Sequence, residues 1–453
     1  MKYVQINAYS GGWADSIVFK KHRELISEGV ESWVFWGRGE HEQNAYMHRI
    51  TSHAGVCLDA LQTRIDGKAA FHSKGTTRRL IKKLEAIDPD VVHLHVLVGY
   101  YINVEMLFSW LAIHRCQVIW TLHDCWAFTG HCIYFTYAKC DQWKDHCGKL
   151  DTCPQVDTYP ETICKKSVLW NFKQKKRLFT MLPPERMKLI TPSKWLADLV
   201  KLSFLKKYSV EVVHNTVNAD VFKPTLSDFR ERYGIGDRFM VLGVAAKWSE
   251  RKGLPDFVKL AKALDKDTYA VVVVGLSKRQ IKQVKEELIA LPRTESMEEL
   301  AGIYTTSDVL VNPSPEETYG MNVAEATACG TRSIVIKGSA CAEVAQDALL
   351  VSPDLSDLAP TIVKLRGGGV VILLSKTSSP QQLAAIYSAA DVLFNPTLED
   401  NYPTVNLESE ACGTPVIAYD TGGCAETYTN ASSRSVVDHR EARLLFEAMR
   451  CSC

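Results

Sequence analysis

Glu317 and Glu325 are two carboxylates with seven residues between them, inside the run NPSPEETYGMNVAEATACG from Asn312 to Gly330. Carboxylate oxygens at such positions could accept hydrogen bonds from the hydroxyls of a sugar or a ribose. Gly320 stands between them and removes a side chain where a ligand must approach backbone. The N–H groups of the helix that starts beyond Gly320 favour anionic oxygens. A second group upstream, Lys247, Arg251 and Lys252 in AKWSERKG, could neutralise a diphosphate leaving group, or could simply be a solvated basic loop. A third pair is His123-Asp124. Its imidazole could donate a hydrogen bond to a sugar hydroxyl or leaving group, and Asp124 could fix the ring's orientation. A fourth candidate is Ser10-Gly11-Gly12, either an anion-binding turn or an ordinary tight connection.

Each group needs an element to hold it. Asp308-Val-Leu-Val-Asn312 is a short apolar run, as expected of a buried parallel strand, and Gly330 is a helix stop. Phe239 to Ala245 is a strand that feeds the lysine loop, and a helix follows from Leu254 to Leu264. Val118 to Leu122 is a strand that delivers His123 at its carboxyl end, where open α/β sheets place their ligands. Lys2 to Ala8 is the first strand, running into the two glycines and a helix from Ala14 to Glu28. There is no GxGxxG, so this turn is not a dinucleotide fingerprint. The segment from Arg38 to Lys74 is polar and gives no clear element. Asp88-Pro-Asp90 reads as the turn before a strand over Val91 to His95, not as a metal site.

The chain length of 453 residues suggests two to three domains. A net charge of +1 gives no overall field toward nucleic acid, and no apolar run reaches the ~20 residues of a membrane span. The amino terminus MKYVQINAYSGGWADS lacks the apolar core of a signal peptide, so a cytoplasmic location is expected. Two basic helices, over Thr76 to Ile87 and Lys165 to Arg177, are either solvated faces or surfaces for anionic membrane.

The string 312–330 resembles the C-terminal signature of retaining GT-B glycosyltransferases, the family often called GT4. The resemblance extends to TLHD at Thr121 to Asp124, to the Lys252-Gly253 pair, and to HNTVNADVFKP, which resembles the family's interdomain linker. It implies an α/β architecture of two Rossmann-like domains facing across a cleft. The N-terminal acceptor domain would span 1–212, and the C-terminal nucleotide-sugar domain 213–366. It further implies sugar transfer from a nucleotide-sugar donor, UDP- or GDP-linked, to a hydroxyl of a glycan or lipid-linked acceptor, with retention and no required metal. In that picture Lys247 and Lys252 stabilise the leaving diphosphate and Glu325 holds the ribose. Glu317 and the backbone of Gly320, Met321 and Asn322 hold the donor sugar. His123 binds it from the opposite domain, and Gly11 and Gly12 allow close approach to the phosphates. Lys247 stands where many members have Arg, which puts a bidentate phosphate contact in doubt. The alternatives are an inactive sugar-nucleotide-binding or scaffold protein, and an epimerase or phosphorylase on the same fold.

Two features depart from that pattern. Half of the fourteen cysteines fall between Cys116 and Cys164. Within an insertion over 125–160, Cys132, Cys140, Cys147 and Cys153 are separated by seven, six and five residues. The insertion resembles one in the bacterial exopolysaccharide branch, in proteins similar to colanic-acid transferases. Reduced structural thiols, a structural zinc and disulfides are all open, and the absence of a C-x-x-C pair weighs against zinc. The second departure is a repeat. Leu300, Tyr304, Asp308, Asn312-Pro313, Tyr319, Glu325, Ala328-Cys329-Gly330 and Glu343 recur at constant offset as Leu383, Tyr387, Asp391, Asn395-Pro396, Tyr402, Glu408, Ala411-Cys412-Gly413 and Glu426. Glu317 becomes Asp400 and Gly320 becomes Pro403. The copy over 370–453 has no counterpart of the lysine loop, so it is expected to be an appended, non-catalytic half-domain.

Overall fold

The computed structural model describes residues 1–11, 13–148, 153–367, 377, 379–390, 392–395, 397, 401–419, 421–429 and 433–436. Gly12 and Asp400 therefore lie outside the described residues. The chain divides into two compact units, Met1–Phe222 with Ser227–Asp357, and Lys223–Leu226 with Leu358–Cys453.

The first unit contains two parallel sheets. The first lobe runs β1 (Lys2–Tyr9), α1 (Trp13–Ser27), β2 (Glu31–Arg38), β3 (Met47–Arg49), α2 (His53–Asp66), α3 (Lys74–Ile87), β4 (Val91–Leu94), α4 (Val104–Ile113), β5 (Gln117–Thr121), α5 (Ser167–Phe179), β6 (Met187–Thr191), α6 (Lys194–Leu202) and β7 (Ser209–Val212). Its seven strands lie in the order β3-β2-β1-β4-β5-β6-β7. Most apolar residues of β1, β4 and β5 are buried, among them Val4, Ile6, Val92, Leu94, Val118 and Trp120, as in sheets covered on both faces. The order turns back on itself between β1 and β4, so the ends of these strands flank a crevice where a ligand can sit.

The polar stretch that gave no clear element contains β3 and α2. Ser52 caps α2 by accepting from Gly55 N at 3.2 Å, and Gly67 closes it in the left-handed conformation. Val56, Asp59 and Thr63 form its buried face. Two of those three are polar, which hides the helix from any search for apolar periodicity.

The second lobe runs α7 (Phe229–Arg232), β8 (Phe239–Val244), α8 (Leu254–Ala263), β9 (Tyr269–Val274), α9 (Lys278–Val284), β10 (Ile289–Leu291), α10 (Met297–Thr305), β11 (Val309–Asn312), α11 (Met321–Ala328), β12 (Ser333–Ile336), α12 (Cys341–Val344) and β13 (Leu349–Val351). Six strands take the order β10-β9-β8-β11-β12-β13, all parallel. The switch point of this sheet lies between β8 and β11, so the loops that leave these two neighbours meet at one sheet edge.

The second unit holds α13 (Leu358–Gly367), α14 (Pro380–Ala389), β14 (Leu393–Asn395), α15 (Thr404–Ala411), β15 (Val416–Tyr419) and β16 (Arg434–Val436), with a three-stranded parallel sheet β14-β15-β16. Its local bonds follow those of α10 to β12. Ser296 caps α10 through Glu299 N at 3.0 Å, and Ser379 caps α14 through Gln382 N at 3.2 Å. Thr331 N reaches Ala326 O at 2.9 Å, and Thr414 N reaches Ser409 O at 3.0 Å. The Thr331 hydroxyl donates to Tyr304 O, and the Thr414 hydroxyl to Tyr387 O.

Candidate active site

The β8 and β11 loops bring Lys252 and Glu317 together. The Lys252 ammonium donates to Glu317 Oε1, with side chains 25% and 11% exposed. Both line a narrow cleft with Val244, Trp248, Asn312 and Asn322. Lys252 is presented by a single turn that Gly253 ends at φ +80°, and a Cβ there would lie 2.4 Å from Pro313. The tight turn and the close approach of β11's loop are thus one requirement. Trp248 anchors the loop by donating Nε1 to Val274 O at 2.8 Å. Lys247 projects from the same loop, is exposed, and makes no hydrogen bond or ion pair among the described residues.

Gly320 begins α11 at φ +98°, and a Cβ there would lie 2.5 Å from Cys341 Sγ. The glycine is required by the turn and by the thiol beneath it, before any ligand is considered. Asn322 holds the helix start in place. Its Oδ1 accepts from Asn312 Nδ2 and its Nδ2 donates to Val244 O, both at 3.0 Å. Met321 sits half-buried at the first helical position. Glu325, two turns from Glu317's loop, accepts from the buried Tyr304 hydroxyl at 3.0 Å. Burial pushes its carboxyl up to about 7, against the opposing pull of the Tyr304 bond. Tyr304 was not among the candidate site residues. The signal for it was available, since Tyr304 and Glu325 recur together as Tyr387 and Glu408.

Glu316 is a second residue that the candidate set missed. It is buried, and its Oε1 accepts from Phe135 N at 2.5 Å and from Thr136 N. Its backbone carbonyl accepts from Arg251 Nη1 at 2.6 Å, and the Arg251 guanidinium lies 4.1 Å from the centre of the Tyr134 ring. Arg251 thus serves the contact between the lobes rather than standing free for phosphate. A further lobe contact is made by Glu343, whose carboxylate accepts from Lys194 N and Trp195 N, each at 2.7 Å, at the start of α6.

On the first lobe, His123 follows β5 as expected and is buried. Burial lowers its ring to about 4, so it is neutral. Among the described residues Asp124 bonds the following turn rather than that ring. Its Oδ1 accepts from Trp126 N at 2.8 Å, because the next turn needs an acceptor for that N–H. Burial raises the Asp124 carboxyl to about 6, against that bond and Lys175. Lys175 on α5 is itself buried, donates to Trp126 O at 2.6 Å and lies 3.8 Å from the centre of that indole. The basic face expected over Lys165 to Arg177 therefore has one lysine turned inward. Gly11, two residues beyond β1, takes φ +128°, and a Cβ there would meet nothing within 4 Å, which fits a turn and leaves room beside it.

Cys132, Cys140, Cys147 and Cys153 are the cysteines for which reduced structural thiols, zinc and disulfides were open. Among the described residues no group of three or more His, Cys, Asp or Glu is placed to hold a metal ion. Cys132 and Cys147 are buried, and all four thiols pack into the apolar core that includes Phe128, Phe135 and Trp143. Burial pushes the Cys132 thiol up and the Cys147 thiol to about 12, and the neighbouring thiols add to both shifts. The described cysteines are thiols, not disulfides.

Residues 238–367 match one family model described as glycosyl transferases group 1, and residues 354–450 match a second with the same description. The chain is 26% identical over 215 residues to the colanic acid biosynthesis glycosyl transferase WcaC of Escherichia coli, covering 44% of this chain and 50% of that protein. It is 26% identical over 182 residues to the D-inositol 3-phosphate glycosyltransferase of Mycolicibacterium smegmatis, covering 36% and 42%. These matches span about half the length of the curated relatives, or less. Among solved structures, the sucrose-phosphate synthase of Thermosynechococcus elongatus aligns with a TM-score of 0.57 at 16% identity, over 81% of this chain and 90% of that one. HepE of Anabaena, solved with UDP-glucose, aligns with a TM-score of 0.52 at 13% identity, over 80% and 89%. The chain therefore has the GT-B fold of two Rossmann-like domains, and its second half matches the group 1 glycosyl transferases.

Proposed function

We propose that this chain is a retaining glycosyltransferase that moves a sugar from a nucleotide-sugar donor to a hydroxyl of a glycan or lipid-linked acceptor in polysaccharide synthesis. The observation that carries the reading is the Lys252–Glu317 pair at the switch point of the second sheet, beside the start of α11. A cation and a carboxylate held side by side suit a donor that is anionic at its diphosphate and hydroxylated at its sugar. Lys252, with Lys247 at the exposed side of the loop, would stabilise charge on the departing diphosphate. Glu317 and the backbone of Gly320, Met321 and Asn322 would hold the donor sugar. Glu325 would take the ribose, and His123 the sugar from the first lobe. The reading asks for no metal. A nucleotide-sugar donor is supported by the likeness to HepE, which was solved with UDP-glucose.

A lipid-linked acceptor fits the outer surface of the first lobe. On α3, Thr76, Thr77, Leu80 and Leu84 are buried, leaving Arg78, Arg79, Lys82 and Lys83 exposed. On α2, Leu58, Leu61 and Ile65 are each more than half exposed. Basic and apolar side chains together suit an anionic membrane surface. No helix among the described residues is long and apolar enough to cross a membrane. The second unit is read as a non-catalytic copy of the α10-to-β13 region, because nothing in it corresponds to the lysine loop.

A thermal-shift screen against UDP, GDP and ADP and their common sugars tests the proposal, since a ligand that binds only the folded state raises the midpoint. One nucleotide is expected to shift the wild type and Glu408→Ala alike, and to leave Lys252→Ala unshifted. A normal shift and normal transfer in Lys252→Ala would sink the site assignment.

A further inference from the structure

His123 is joined to the interior of the first lobe by a chain of hydrogen bonds with one fixed end. Gln5 on β1 donates its Nε2 to Val18 O at 3.0 Å. A backbone carbonyl can only accept, so the amide's orientation is set, with Oε1 turned away from Val18. That oxygen lies 3.3 Å from His95 Nε2. His95 follows β4, held by His95 N to Ile6 O at 2.9 Å and by Trp120 Nε1 to His95 O at 3.0 Å. Its Nδ1 lies 3.2 Å from His123 Nε2, and the two rings are nearly parallel at 13°.

Each link decides the next. Gln5 Oε1 can only accept, so His95 Nε2 carries a hydrogen. Both rings are buried, and burial disfavours their cations. A neutral His95 with its proton on Nε2 has a bare Nδ1, which must accept. His123 Nε2 then donates, and a neutral His123 keeps a lone pair on Nδ1.

We infer that Gln5 and His95 are positioning residues that lock His123 as its neutral Nε2–H tautomer, so that its second nitrogen acts as a hydrogen-bond acceptor. This reverses the donor role expected for the ring from its sequence position. The chemistry recognised at that nitrogen is a hydroxyl or another donor, not a departing oxyanion. The inference rests on the proposed function only for the statement that His123 serves a ligand; the tautomer itself follows from the bonds.

The test is nitrogen-15 spectroscopy of the histidine-labelled full chain at neutral pH, with the His123 ring assigned by its loss in His123→Gln. A pyrrole-type Nε2 and a pyridine-type Nδ1 are expected. In Gln5→Leu the acceptor is gone, His95 is released, and the His123 signals are expected to move toward a mixture of tautomers. If the transfer reaction is in hand, kcat in Gln5→Leu should fall about tenfold, the size of one lost hydrogen bond, while the midpoint shift with nucleotide persists. A wild-type His123 with its proton on Nδ1, or doubly protonated, would overturn the inference. So would unmoved ring signals in a folded Gln5→Leu. If that variant does not fold, the wild-type spectrum alone decides. An inactive wild type with the expected spectrum would count against the transferase reading and leave the tautomer assignment supported.

Discussion

The Lys252 ammonium and the Glu317 carboxylate form an ion pair although their positions are 65 residues apart in the chain. The pair forms because β8 and β11 are neighbours in the second sheet, so that the loops leaving them share one edge. Lys252→Ala leaves Glu317 largely buried without its cation. The variant should lose about 1–3 kcal/mol of stability, read by chemical denaturation, and should lose its nucleotide-dependent midpoint shift. Glu317→Gln keeps a neutral acceptor in place, so its stability should fall less than that of Lys252→Ala. Equal losses would mean that the pair is not the source of the effect.

Glu325 should make stability depend on pH. Burial lets the folded protein hold its proton up to about pH 7, whereas the ordinary value is 4.5. The group therefore favours the folded state most below pH 4.5, and that contribution is lost as pH rises through 7. Glu325→Gln has no such proton. Relative to wild type, the variant should gain about 2–3 kcal/mol between pH 4.5 and 7.5, measured by urea denaturation at each pH. A difference that does not change with pH would contradict the assignment of Glu325 as a buried acid.

Glu316 ties the cysteine-rich insertion to the second lobe through the N–H groups of Phe135 and Thr136. Glu316→Ala should leave both donors without their acceptor and release the Tyr134 region. Hydrogen exchange should show lost protection at residues 134–136, with β8 and β11 still protected. Unchanged exchange there would remove Glu316 from the lobe contact.

Gly320→Ala is expected to cost about 1–2 kcal/mol from the left-handed backbone alone, with an added clash against Cys341 Sγ. Cys341→Ala removes the clash but not the backbone strain. The double variant should therefore recover part of the loss by thermal denaturation, not all of it. Full recovery would mean that Gly320 is there only to clear the thiol.

The expected membrane contact can be read by sedimentation with lipid vesicles. Wild type should bind vesicles rich in anionic lipid and release them in high salt, as surface charge contacts are screened. Replacing Arg78, Arg79, Lys82 and Lys83 with Gln should abolish that binding with little loss of stability, because all four are exposed.

The amino-acid sequence by itself determined the strands that carry the candidate site. Buried parallel strands are apolar throughout, so Val118 to Leu122 and Val309 to Asn312 stand out with no partner in view. It also determined the helix stop at Gly330, the lysine loop and the recurrence of residues 300–343 in residues 383–426, since each is a local pattern. Helix α2 was not legible, because its buried face is made partly of Asp59 and Thr63. Only the tertiary structure decided which candidates meet. It paired Lys252 with Glu317, left Lys247 in solvent, and gave Glu325 to Tyr304. The four cysteines show the limit most plainly. Their spacing leaves thiol, zinc and disulfide open, and only the tertiary structure brings them against one core that includes Phe128, Phe135 and Trp143. His123 is similar: its place at a strand end is written in the sequence, but whether its ring donates or accepts depends on Gln5 on β1 and His95 after β4. Hydrogen-bond direction passes through space from one group to the next, and a linear pattern does not carry it.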